Sequence, residues 1–389
     1  MRRVAIVTGT RADYGLLRPL LAALGQIDQI EVGVLVTGSH LVPEFGRTVT
    51  EIEEDGWPIW ARVEALLAGD SPDAICKSMA LTCIGMSDAL ARCRPDLLVG
   101  LGDRYELLAT VQAAMVHRIP VAHLHGGEAT EGLIDEAIRH AVSKMAHLHF
   151  TSTEPYRQRL LRMGEAPERV FTVGALGIDN ILSQPVPDRA TLERELGMAL
   201  PADRPLFLVT YHPVTLDAAS PAAAVEAMLS ALDGVGDITC VMTYPNADTL
   251  GRDILEPLRR YAVRRTGRVQ LVPSLGVRRY LGLMRLADAV VGNSSSGIIE
   301  APSLGVPTID IGDRQKGRLR APSVLWCPAD EEAIAATLRR SQEPEFRAMA
   351  RAVTNPYGDG QAARRIAERL VHEPLDGILR KRFHDGGAA

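Results

Sequence analysis

Asp103, His125, Glu128 and Asp135 lie close together in the chain, and their side chains are the types that move protons. Crowded carboxyl groups raise one another's pKa, so a general acid and a general base can coexist near neutrality. Each residue also has a structural reading. Asp103 stands in Gly102-Asp103-Arg104-Tyr105-Glu106 and could cap the following helix, with Arg104 beside it to bind an anion or orient the carboxylate. His123-x-His125 has the spacing of half a metal site, but no further Cys or spaced His completes four ligands. On a helix, Asp135 with Arg139 and Glu136 with His140 are i,i+4 pairs, worth a few tenths of a kcal/mol each.

A second group of residues suits anions. Arg11 follows Thr8-Gly9-Thr10 at the start of a helix, without the glycine spacing of a dinucleotide loop. His212 in His212-Pro213 can donate to a phosphate or shuttle a proton, and Asn246 in Pro245-Asn246 can donate from its amide. Gly292-Asn293-Ser294-Ser295-Ser296-Gly297 offers hydroxyls, backbone N–H groups and a helix start to a phosphate. Glu300 cannot help hold phosphate but can accept from both hydroxyls of a ribose, and Arg314 supplies a cation. The Lys of a Walker loop is missing. Serines with that Glu suit a nucleoside diphosphate.

Short apolar runs alternate with amphipathic segments throughout. Strands are expected at 3–8, 31–36, 96–101, 119–124, 147–151 and 170–173, then at 206–211, 238–243, 269–272, 289–292, 308–311 and 324–327. Runs that are apolar throughout, separated by helix-length pieces, indicate parallel sheets covered on both faces. The stretch 183–205, with four prolines around one short charged segment, reads as a linker. The expected fold class is α/β, with two doubly wound Rossmann-like domains and a cleft between them. Residues 1–185 would form one domain and 200–358 the other, with a helix and tail over 359–389. Ligands of such sheets sit beyond the carboxyl ends of the strands, where these polar residues fall.

Composition narrows the class. The chain has 389 residues, a net charge of −5 and 46% hydrophobic residues. Mild acidity argues against nucleic-acid binding. No apolar run approaches the ~20 residues of a membrane span, and the run Val4–Val7 behind Arg2 and Arg3 is too short for a signal peptide. The 5 cysteines are scattered, as expected for reduced thiols in the cytoplasm. Of 10 histidines, six fall between positions 117 and 149.

Taken in order, several motifs resemble the UDP-N-acetylglucosamine 2-epimerases, and within them the hydrolysing branch that makes N-acetylmannosamine-type sugars for sialic or legionaminic acid. They are Thr8-Gly-Thr-Arg-Ala-Asp-Tyr-Gly15, Gly102-Asp-Arg104, His125-Gly-Gly-Glu128, Ile134-Asp-Glu-Ala-Ile-Arg-His140, His212-Pro213, Pro245-Asn246, Asn293 to Ser303 and Asn355-Pro-Tyr-Gly-Asp-Gly360. The resemblance implies a GT-B-like fold whose last helix crosses back to the first domain. It implies Ser294, Ser295 and Glu300 on diphosphate and ribose, Arg11, Asn246 and Arg314 on phosphates, and Asp103, Asp135 and His212 in catalysis. It implies no metal or redox cofactor, a nucleotide-sugar substrate, and a homo-oligomer, dimer or tetramer. Two departures stand out. Leu16 takes the place of a Lys common in the non-hydrolysing branch. His125 takes a place where some members have a carboxylate, which leaves His125 or Glu128 as the base at C2.

The expected reaction is hydrolysis of UDP-N-acetylglucosamine to N-acetylmannosamine and UDP, by elimination to a 2-acetamidoglucal and rehydration. Alternatives are the same reaction on UDP- or GDP-N,N'-diacetylbacillosamine, a non-hydrolysing epimerase, a GT-B glycosyltransferase, and a non-catalytic nucleotide-sugar sensor. A transferase would have less use for the clustered carboxylates.

Overall fold

The structure is a computed structural model. It describes residues 1–69, 71–131, 133–183, 185–213, 221–245 and 251–385. Two compact units emerge. The first comprises Met1–Glu128, Asp135–Asn180 and Tyr357–Ala389, and the second Ala129–Ile134 with Ile181–Pro356.

The first unit holds a parallel sheet of β1 (Arg2–Thr8), β2 (Ile30–Thr37), β3 (Ile59–Val63), β4 (Leu97–Leu101), β5 (Val121–Leu124), β6 (Leu148–Thr151) and β7 (Val170–Thr172). The strand order is β3-β2-β1-β4-β5-β6-β7. Alternating side chains of β1 serve two cores. Val4 and Ile6 pack with Leu17, Leu20 and Leu21, while Ala5 and Val7 pack with Val111 and Ala114. Both faces are thus covered, as the uninterrupted apolar runs require.

The second unit repeats the plan with β8 (Leu206–Thr210), β9 (Thr239–Thr243), β10 (Val269–Val272), β11 (Ala289–Gly292), β12 (Thr308–Ile311) and β13 (Val324–Cys327), all parallel. The order is β10-β9-β8-β11-β12-β13. Phe207 and Val209 face one core, Leu206 and Leu208 the other. The fold class is therefore the doubly wound α/β pair expected. In each sheet the winding direction reverses once, between β1 and β4 and between β8 and β11. Such reversals open the crevice where open α/β sheets bind ligands. Arg11 follows β1, Asp103 and Arg104 follow β4, His212 follows β8, and Ser294 follows β11.

Two features depart from the sequence reading. The edge strand β3 was not expected, because Arg62 breaks its apolar run; its Trp60 fills the space over Gly33, where a Cβ would collide with the indole. The stretch read as a linker is packed: Leu192, Leu196 and Leu200 are buried in a core of the second unit. The helix Pro72–Cys93 is long and apolar enough, by length and composition, to cross a membrane. Asp73, Lys77, Asp88 and Arg92 interrupt its apolar run, and it packs along the helix Tyr105–Val116.

The helix Ala362–His372 buries Ile366 and Leu370 against the helix Arg11–Leu24. Asp179 caps it by accepting from the N–H groups of Ala362 (3.1 Å) and Ala363 (2.8 Å). Beyond it, Lys381 donates to the carbonyls of Lys144 (2.8 Å) and Ala146 (2.7 Å), at the end of the helix Asp135–Met145.

Candidate active site

At the carboxyl ends of β4 and β5, one buried cation organises the carboxylates. Arg139, 1% exposed, projects from the helix Asp135–Met145. It donates to the Asp103 carboxylate, to Glu136 Oε2 (2.5 Å) and to the Glu128 carbonyl (3.1 Å). The rigid fork of an Arg can serve several acceptors at fixed angles, which a Lys cannot. Asp135 is half-buried and opens the same helix, and Glu136 pairs with His140 (3.1 Å), as their spacing requires. Spacing did not single out Arg139 as the hub, since its partner Asp103 comes from a separate strand end.

His123 anchors Gly102, the residue before Asp103. Burial drives its pKa down to about 3, so the ring is neutral. Nε2 donates to the Gly102 carbonyl (2.7 Å), and Nδ1 accepts from the Ser143 hydroxyl (3.0 Å). Gly102 has φ +83°, a left-handed turn that a glycine makes without strain, just before Asp103.

His125 lies past the end of β5, in the left-handed region with φ +63°, so strand alternation with His123 does not extend to it. Its Nδ1 is 3.0 Å from Glu128 Oε1, and the Leu176 N–H donates to its Nε2 (3.4 Å). Ser152 donates to the same Glu128 oxygen (2.7 Å).

Arg11 forms an ion pair with Glu51 (2.8 Å). Partly exposed pairs of this kind are worth at most about 1 kcal/mol, so an anion can compete for the guanidinium. Arg104 pairs with Glu106 (3.2 Å), a buried carboxylate packed beneath Gly9 and Gly38. Burial pushes Asp13 up to about 6, with Arg104 opposing and Glu106 adding to the rise. Asp13 and Glu106 were not picked out from sequence, where each reads as an ordinary first-turn acid.

In the second unit the ends of β8 and β11 are locked by Asn293. Its Oδ1 accepts from the His212 N–H (2.7 Å) and its Nδ2 donates to the His212 carbonyl (2.8 Å). Its own carbonyl accepts from Arg314 (3.2 Å) and Gln315 (2.8 Å). Gly292 has to be glycine, because a Cβ there would lie 2.0 Å from the Thr210 carbonyl. Burial, together with the Arg314 charge, holds the His212 imidazole well below its ordinary pKa. His212 is thus neutral, a hydrogen-bonding group rather than a cation.

Ser294 Oγ accepts from the Ser296 N–H (3.4 Å) and lies 3.0 Å from the Ser296 hydroxyl, which lies 2.6 Å from the Tyr280 hydroxyl. Ser295 is the first residue of the helix Ser295–Ile299, and Glu300 follows its end. That helix has only 5 residues, so hydroxyls and Arg314, rather than a helix dipole, are what an anion meets here. Asn246 lies outside the described residues. Among the described residues, the first unit therefore offers acid–base groups, and the second offers hydroxyls and a guanidinium suited to phosphate.

The chain matches the family model described as UDP-N-acetylglucosamine 2-epimerase over residues 22–371. It is 42% identical, over 83% of this chain and 84% of the relative, to the GDP/UDP-N,N'-diacetylbacillosamine 2-epimerase (hydrolyzing) of Campylobacter jejuni. It is 35% identical, over 96% and 97%, to the UDP-N,N'-diacetylbacillosamine 2-epimerase (hydrolyzing) of Legionella pneumophila. Its fold matches the crystal structure of UDP-GlcNAc 2-epimerase from Neisseria meningitidis bound to UDP-GlcNAc, with a TM-score of 0.81, 19% identity and coverage of 95% and 99%. The chain belongs to the UDP-N-acetylglucosamine 2-epimerase family, with the GT-B-like fold.

Proposed function

We propose that this chain is a hydrolysing 2-epimerase that cleaves a nucleoside-diphosphate-linked 2-acetamido sugar and inverts C2. The observation that carries this reading is the Arg139-centred carboxylate cluster, a device for proton transfer that a simple transferase does not need. The names of the two hydrolysing relatives support release of free sugar, and they favour a 2,4-diacetamido sugar as the substrate. UDP-N-acetylglucosamine is the second reading, favoured by the family description.

In the proposed reaction a carboxylate among Asp103, Glu128 and Asp135 removes the C2 proton. The C2–H electron pair forms the C1–C2 double bond, and the C1–O bond breaks with its pair leaving on the nucleoside diphosphate. Arg11, Ser294, Ser295, Asn246 and Arg314 would take the charge that develops on the diphosphate, with Glu300 on the ribose and Arg104, paired with Glu106, binding the substrate. Preorganised donors of this kind are the largest ordinary source of rate enhancement. His212, neutral, would donate a hydrogen bond to a phosphate oxygen. Water then adds across the glycal: oxygen to C1, and a proton to C2 from the face opposite the one first deprotonated. We further propose a homo-oligomer, joined through the apolar side chains left exposed on the helix Pro72–Cys93 and its neighbour, Leu81, Ile84, Met115 and Val116.

The test is incubation with each candidate UDP- and GDP-sugar in D2O, followed by NMR. Free 2-epimeric sugar deuterated at C2, with equimolar nucleoside diphosphate, supports the reading. A nucleotide-bound epimer moves the chain to the non-hydrolysing chemistry, and turnover only with an added acceptor moves it to a transferase.

A further inference from the structure

We propose that His125 is a positioning residue: its imidazole, held in one tautomer, fixes the Glu128 carboxylate and transfers no proton in turnover. This rests on the reading above that Glu128 serves the sugar chemistry.

The hydrogen bonds set the tautomer. A backbone N–H can only donate, so the Leu176 N–H on Nε2 requires that nitrogen to be the acceptor. The ring proton then sits on Nδ1, directed at Glu128 Oε1 at 3.0 Å. Ser152 brings a second donor to the same oxygen at 2.7 Å, so the carboxylate is gripped from two sides. Both ring nitrogens are spent on the fold. To accept a proton from a sugar, Nε2 would have to abandon the first N–H of the helix Leu176–Ser183.

The backbone supports the same assignment. A non-glycine residue at φ +63° is strained, and such strain persists only where the surroundings fix it. Here they do. The His125 N–H donates to the Phe150 carbonyl (2.8 Å). A Cβ on Gly127 (φ +76°) would lie 2.4 Å from the Tyr156 carbonyl, and one on Gly126 would lie 3.0 Å from His123 Nδ1. The turn from His125 to Glu128 therefore has little freedom, and the imidazole points where Glu128 needs a donor.

Asparagine discriminates the two roles. Its amide nitrogen stands where Nδ1 stands, and it is among the residues most at home at positive φ. It cannot act as a general base. His125→Asn should keep kcat within about fivefold of wild type, with the acid limb of kcat/KM unmoved, whereas His125→Ala should lose at least about 100-fold in kcat with little change in KM. An Asn variant as inactive as Ala, or one that loses the acid limb, overturns the proposal. If the Ala variant does not fold, Ser152→Ala, which removes the other donor to the same oxygen, should lower kcat by about tenfold at unchanged KM; full activity there overturns it. Long-range 15N NMR of the histidine rings reads the tautomer without any turnover. A proton on Nδ1 supports the proposal even if no nucleotide sugar reacts, which would sink only the functional reading, and a proton on Nε2 overturns it.

Discussion

The guanidinium of Arg139 donates to the carboxylate of Asp103 across 36 residues of chain, which ties the end of β4 to the helix that carries Asp135 and Glu136. A lysine would keep the charge and lose the fork. Arg139→Lys should remain folded by circular dichroism yet lose about 100-fold in kcat, because small misplacements of reacting groups cost that much. Asp103→Asn should abolish turnover and leave UDP affinity within a few-fold. Turnover of the lysine variant close to wild type would remove Arg139 from the machinery.

Ser294→Ala separates phosphate from nucleoside recognition. Calorimetry should show UDP binding weakened about tenfold, or ~1.4 kcal/mol, with uridine binding unchanged. The serine also caps the helix Ser295–Ile299, so a loss of about 1 kcal/mol in stability should accompany the change. Unchanged UDP affinity would count against the cradle.

Three buried histidines should make the fold acid-labile. Burial lowers His40 and His147 to about 4 and His123 to about 3, from 6.5. Between those values and 6.5, the unfolded chain binds protons that the folded chain does not, so stability falls as pH drops through that window. Each histidine contributes up to about 1.4 kcal/mol per pH unit. Urea midpoints should therefore fall steadily from neutrality to about pH 4.5. A flat profile over that range would show that these rings titrate normally in the folded state.

Ile84 is 63% exposed and Val116 76%, on two helices packed side by side. Ile84→Glu should convert an oligomer to monomers in sedimentation velocity, since a buried unpaired carboxylate costs several kcal/mol. A wild-type chain that sediments as a monomer would withdraw this surface as an interface.

The strand ends were legible because parallel strands covered on both faces are apolar throughout, and the polar residue after each run marks its end. Arg11, Asp103, His212 and Ser294 emerged that way. Strand order was not legible, so the grouping of those ends around two reversals had to come from the sheets themselves. Arg139 was hidden for a related reason. Helical spacing reports neighbours on one helix, while Asp103 arrives from another element. The turn of His125 away from the strand was not legible either, because periodicity carries no sign of a residue at positive φ.

The excursion of Ala129–Ile134 into the second unit has a practical consequence. The chain passes between the units four times, at Glu128–Ala129, Ile134–Asp135, Asn180–Ile181 and Pro356–Tyr357. No single cut separates them. A fragment ending at Asn180 would lack the helix Ala362–His372 that completes its core, and would carry six residues belonging to the other unit. Co-expressed halves would have to reassemble before either was whole, so neither unit can be produced as one continuous stretch of chain.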